Sequence, residues 1–124
     1  MQLAQLLQNP ALGLNVKAGR KRLDRVVKGA YVSDLLSHVM ARAKEGNLWV
    51  TIQAHQNIVA VAALLNLSGI IIAGGIEPQA DTLIKAEEEG IPILTTALSA
   101  FEVVGRLYTL GIGAENDYVQ VAES

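Results

Sequence analysis

Cysteine is absent from the chain, and aromatic side chains make up only 4% of it. The first absence removes a disulfide framework, a zinc-thiolate site and a thiol nucleophile, and it fits a reducing compartment. The second means that the core of a sequence that is 51% hydrophobic has to be built from Val, Ile, Leu and Ala. No apolar run reaches the roughly 18 residues that a membrane span needs. The opening "MQLAQLLQNP" has periodic apolar positions and no basic segment ahead of a long apolar one, so it reads as a short helix and not as a signal peptide. The expected setting is cytoplasmic, with no membrane contact.

Catalytic signatures are missing too. There is no GxxxxGK[ST] phosphate loop, no GxGxxG after a strand and no GxSxG elbow, and the only imidazoles are His38 and His55. Asp34 and His38 stand four apart but lack a third metal ligand, so they read as an exposed pair. No nucleophile with a partnered base can be assembled. The expectation is a protein that is not an enzyme, with no metal and no cofactor.

What is present fits one domain over residues 1–124, long enough to bury about two-thirds of the surface of its unfolded form. The formal net charge of −2 is unevenly spread. Lys17, Arg20, Lys21, Arg22, Arg25 and Lys28 face Asp24 alone, whereas after Glu77 the only basic residues are Lys85 and Arg106. The basic stretch could touch phosphate, but it has no interleaved aromatics to stack bases, so nucleic acid is not the expected partner and a solvated turn is.

The second half repeats a unit. "LWVTIQ", "GIIIAGG" and "IPILTT" are short β-branched runs that start about 21 to 22 residues apart, each followed by a polar or glycine junction and a helical pattern. Helices joining consecutive strands imply parallel pairing with right-handed crossovers. In the first half, "GLNVKAG" and "RVVKGAYV" read as two short strands around the basic turn. "SDLLSHVMARAKEGN" reads as a helix started by Ser33, stopped near Gly46 and carrying Leu35, Leu36, Val39, Met40 and Ala43 on its inner face. The tail over 114–124 is expected to add an edge strand or to stay loose. The fold class is α/β, a mostly parallel sheet flanked by helices, with three consecutive strand-helix units in the C-terminal half.

"NIVAVAALLNL" is apolar on every side, which in a small domain calls either for neighbouring helices to cover it or, on the sharper reading, for a homodimer contact through Ile58, Val61, Ala62 and Leu65. In a parallel sheet the junctions all emerge at the carboxyl ends of the strands, where helix N-termini favour anions. That edge gathers Gln53, His55 and Asn57, then Gly74 and Gly75, then Thr95, Thr96 and Ser99, as candidate binding residues for a small anionic ligand. Capping accounts for part of the set. Asn57 suits an N-cap, Pro78 a first helical turn, Gly90 a C-cap, and Ser99 with Glu102 a capping box. His55 is the member that capping explains least.

The succession from "GAYVSDLLSHVMARAKEGNLWVTIQAHQNIVAVAALLNLSGIIIAGG" through "EPQADTLIKAEEEGIPILTT" to "SAFEVVGRLYTLGI" resembles the DRTGG domain, specifically its small stand-alone members. Similar domains precede phosphotransacetylase catalytic domains, lie between CBS domains in some pyrophosphatases, and form the N-terminal domain of HPr kinase/phosphorylase. The resemblance implies a non-catalytic regulatory or dimerisation module. The alternative is a sensor of a nucleotide or phosphorylated metabolite at the strand ends. "QAHQN" stands where many members have a Gly-Asp-Arg-Thr-Asp turn, and Ala73, Gly74 and Gly75 stand where they have Thr-Gly-Gly, so a ligand role tied to the Asp-Arg pair does not carry over.

Overall fold

In the computed structural model, which describes residues 1–113, the β-branched runs form the strands of one five-stranded sheet. In chain order the elements are α1 (Leu3–Leu7), β1 (Asn15–Ala18), β2 (Gly29–Val32), α2 (Leu36–Arg42), β3 (Asn47–Thr51), α3 (Asn57–Leu65), β4 (Gly69–Ile72), α4 (Ala80–Glu89), β5 (Ile93–Thr95) and α5 (Ala100–Thr109). β3, β4 and β5 are buried at every position, as parallel strands covered on both faces must be. The strand order is β1-β5-β4-β3-β2, parallel from β2 to β5, with β1 antiparallel to β5 at one edge.

Each step from β2 to β5 advances by one strand, and the three connecting helices share one face. Val39 of α2, Ile58, Val59, Val61 and Ala62 of α3, and Ala86 of α4 pack there with Trp49, Ile70, Ile72 and Ile93. The crossovers therefore have a common hand, and every β-to-α turn lands on the same edge of the sheet. The other face is covered by Leu3 and Leu6 of α1 and by Val103 and Leu107 of α5, packed on Leu48, Val50, Ile71 and Leu94. Trp49 is wholly buried because its indole N–H donates to the Ser33 carbonyl at 2.9 Å.

Several expectations need correction. β1 and β2 flank the basic turn in sequence but lie at opposite edges of the sheet, because β1 pairs with β5, far along the chain. The basic segment thus crosses under one end of the sheet. α2 is shorter than expected: Ser33 accepts the Leu35 amide before the helix begins, and the helix ends at Arg42, well ahead of Gly46. Only Val39 of α2 is fully buried, while Leu35 and Met40 are exposed. α4 starts after Gln79 as its cap, so Pro78 lies outside its first turn, whereas Gly90 does end it in the left-handed conformation.

The expected α3 interface is also displaced. Ile58, Val61 and Ala62 are buried within the chain, and Leu65 is half-buried, because α2 and α4 lie on either side of α3 and cover its flanks. Solvent reaches α3 mainly at Asn57, Ala60 and Leu64, the last 70% exposed. The apolar circumference follows from its place as the middle of three helices. The expected tail strand over 114–124 lies outside the described residues.

Candidate functional site

The carboxyl ends of β2, β3, β4 and β5 form one rim, and its loops are stitched together. After β4, Gly74 and Gly75 adopt positive φ of 77° and 71°, a pair that glycine adopts at no steric cost. This turn aims the Gly74 amide at the Leu98 carbonyl (2.7 Å) and the Gly75 amide at the Thr96 carbonyl (3.0 Å). After β5, the Thr96 hydroxyl donates to the Leu12 carbonyl at 2.8 Å and accepts the Leu98 amide. The Ala54 carbonyl, after β3, accepts both the Gln79 amide and the Thr82 hydroxyl at the start of α4.

Asp34 belongs to this rim, outside the helix that the sequence pattern assigns to it. β2 is parallel to its neighbour, so its exit loop opens at the same edge, and "VSD" is the polar junction that marks it. Asp34 Oδ1 accepts the Thr51 hydroxyl and the Ile52 amide, both at 2.8 Å, and its backbone carbonyl accepts the Gln53 side-chain amide at 2.9 Å. Asp34 thus ties the β2 exit to the β3 exit. Among the described residues no group of three or more Asp, Glu or His side chains could hold a metal ion.

The structure reassigns the capping of α3. The helix begins at Asn57, and the Asn57 amide donates to Nδ1 of His55 at 3.2 Å, while the Ile58 amide donates to the His55 carbonyl. The cap position is Gln56, which makes no side-chain capping bond, and His55 just before it satisfies the first amide of the helix in place of the cap expected of Asn57. With Nδ1 accepting, the proton of the neutral ring sits on Nε2, which is left to meet solvent or a ligand. Ser99 does cap α5, accepting the Glu102 amide at 3.2 Å, but the Glu102 carboxylate is turned to Arg106 at 3.4 Å in place of a reciprocal bond.

Of the eight candidate binding residues, His55, Asn57, Gly74, Gly75 and Ser99 are exposed and Gln53 is half-buried. Thr95 and Thr96 are buried, Thr95 within β5 and Thr96 beneath the loop that it braces. Because both glycine amides are committed to carbonyls and the Gln53 side-chain amide is committed to Asp34, the rim offers a ligand the exposed side chains of His55 and Asn57, and a Cβ added at Gly75 would meet nothing within 4 Å.

A family model described as the DRTGG domain matches residues 10–110. The chain belongs to the DRTGG domain family. A comparison with curated proteins finds no match. Among solved structures, this DRTGG domain is similar to a crystal structure of the CBS and DRTGG domains of the regulatory region of Clostridium perfringens pyrophosphatase, complexed with its activator diadenosine tetraphosphate. The TM-score is 0.69 at 20% identity, over 92% of this chain and 48% of that one. This DRTGG domain spans about half the length of that neighbour, and what the two share is the fold.

No helix of the described residues is long and apolar enough to cross a membrane. The exposed apolar side chains include Phe101, 88% exposed, and Tyr108, both on α5, the helix that covers the opposite face from α3.

Proposed function

We propose that this DRTGG domain is a non-catalytic regulatory module whose carboxyl rim is a surface to be read, by a small ligand or a partner chain. The observation that carries this is the fate of the rim's reactive groups. The Thr51 and Thr96 hydroxyls, the Asp34 carboxylate and the His55 imidazole are the candidates for nucleophile and base, and each accepts a backbone amide, His55 through Nδ1 alone. Such groups position loops; a general base instead needs a substrate proton within reach.

The ligand-sensing form of this reading takes support from the exposure of His55, Asn57, Gly74 and Gly75 on the rim. A nucleotide of the class bound by the pyrophosphatase neighbour is the first candidate. Self-association as a homodimer is part of the same reading, and light scattering across the micromolar range tests it, a monomer mass throughout removing it.

The deciding experiment exposes the chain to ATP, pyrophosphate and acetyl phosphate while phosphate release is followed, alongside thermal unfolding with diadenosine tetraphosphate and adenosine nucleotides. The expected result is no turnover and a rise in melting temperature with a nucleotide that His55→Ala abolishes. Turnover abolished by Asp34→Ala or His55→Ala would overturn the non-catalytic reading.

A further inference from the structure

The basic segment has an unexplained consequence at the opposite edge, where the strands begin and the helices end. Arg25 reaches under the sheet and donates from Nη1 to the Leu67 carbonyl at 3.0 Å and to Asn66 Oδ1, and from Nη2 to the Gly90 carbonyl at 3.4 Å. Asn66 and Gly90 are the residues that end α3 and α4 and Leu67 follows Asn66, so the guanidinium sits beside two helix C-termini that carry partial negative charge. Helix capping thus accounts for Nη1 and Nη2.

It does not account for the cleft around them. A cavity of about 300 Å³ is lined by Arg22, Arg25, Lys28, Glu45, Asn66 and Ser68, three cations against one carboxylate. Two of its side-chain donors, Arg25 Nε and Ser68 Oγ, are buried without a hydrogen-bond partner. Ser68 is only 2% exposed, and a buried unpaired donor costs roughly 1–3 kcal/mol. Burial, and after it the neighbouring Arg22, pulls the Arg25 guanidinium below its ordinary pKa, with Asp24 acting in the opposite sense. Arg22 and Lys28 are held only by solvent-exposed pairs, to Asp24 at 3.6 Å and to Glu45 at 3.7 Å, which exchange at little cost.

We propose that this cleft is an anion site for a phosphate- or diphosphate-bearing small molecule, held by Arg22 and Lys28 and, after the side-chain rotation that their burial requires, by Ser68 Oγ and Arg25 Nε. The donors outnumber what a single carboxylate accepts, and a phosphoryl group brings three acceptor oxygens with close to two charges. No aromatic side chain lines the cleft, so the phosphoryl end is what it recognises and not a base. The inference rests on the reading of the chain as a ligand-responsive module, and it places a second, charge-reading site across the sheet from the rim.

The test uses the full chain and inorganic pyrophosphate, with inorganic phosphate and AMP as further arms, by titration calorimetry and thermal unfolding at constant ionic strength. Saturable pyrophosphate binding is expected, weakened about tenfold in Arg22→Gln, in Lys28→Gln and in Ser68→Ala, and unchanged in Phe101→Gln on a distant exposed surface. Ser68→Ala separates the roles, since removing an unpaired buried hydroxyl leaves the urea midpoint level or higher while binding falls. Pyrophosphate binding that is equal in the wild type and the three cleft variants would overturn the proposal. A nucleotide response lost in His55→Ala with none to pyrophosphate overturns the cleft and leaves the rim reading standing. No response to any arm overturns both.

Discussion

The Thr51 hydroxyl donates to Asp34 Oδ1 at 2.8 Å, locking the exit of β2 onto the buried end of β3. The same oxygen accepts the Ile52 amide. Asp34→Ala removes one acceptor and strands two donors, so urea unfolding is expected to show a loss of about 2 kcal/mol. Asp34→Asn keeps an oxygen at that position and is expected to lose less than half as much. Equal losses would show that the carboxylate's charge, and not its geometry, is what matters there.

Capping of α3 gives a second expectation. His55→Ala removes the acceptor of the Asn57 amide and is expected to cost about 1 kcal/mol, the usual value of a helix cap. Asn57→Ala removes no such bond and exchanges a poor helix former for the best one, so its stability is expected to stay level or rise slightly. Chemical denaturation of the two variants side by side checks the order, and the reverse order would return the cap to Asn57.

These two residues show where the sequence was legible and where it was not. β3, β4 and β5 were readable because burial on both faces requires unbroken apolar runs, and their spacing implied the crossovers that bring His55, Gly75 and Thr96 to one rim. The cap was misread because propensity names a residue type and not its register: Asn57 is the better capping residue, yet His55 sits where the amide points. Asp34 was missed because β2 is a short edge strand whose exit looked like a helix start. The cover on α3 comes from α2 and α4, the alternative to a homodimer contact that its apolar circumference leaves open, because an all-apolar helix does not say whether its cover comes from the same chain or a second copy. The place of β1 beside β5 is likewise set by a pairing far along the chain.

Two glycines with similar backbone conformations should respond very differently to alanine. Gly19 has φ of 75°, and a Cβ there would lie 2.5 Å from the Pro92 Cα, with no flexible side chain to give way. Gly75 has φ of 71° in open space. Gly19→Ala combines backbone strain with a clash and is expected to cost roughly 3 kcal/mol or more, while Gly75→Ala carries only the strain, about 1 kcal/mol. Thermal unfolding distinguishes them, and a mild Gly19→Ala would mean that β1 can shift away from the α4–β5 link.

The burial of α3 is checked by charge insertion. Val61→Asp places a carboxylate between the sheet and the flanking helices and is expected to abolish cooperative unfolding or lower stability by several kcal/mol. Leu64→Asp, at an exposed position one turn away, is expected to change stability by less than about 0.5 kcal/mol. A monomeric, well-folded Val61→Asp would contradict the packing and revive α3 as a contact surface.

Arg25 supplies the last expectation, because one guanidinium closes two helices at once. Its Nη atoms serve the Leu67 and Gly90 carbonyls, which follow α3 and α4 from separate crossover units. Arg25→Lys keeps the charge, but a single ammonium lacks the planar fork that spans both acceptors, so one helix end is left without its donor. The expected cost is about 1–2 kcal/mol for lysine and more for Arg25→Met, which loses all three bonds and the favourable charge at the helix ends. Amide hydrogen exchange gives the discriminating readout: protection should fall in the last turns of both α3 and α4 in Arg25→Met. A fall confined to one helix would show that the other is held by its left-handed C-cap alone, Asn66 in α3 or Gly90 in α4.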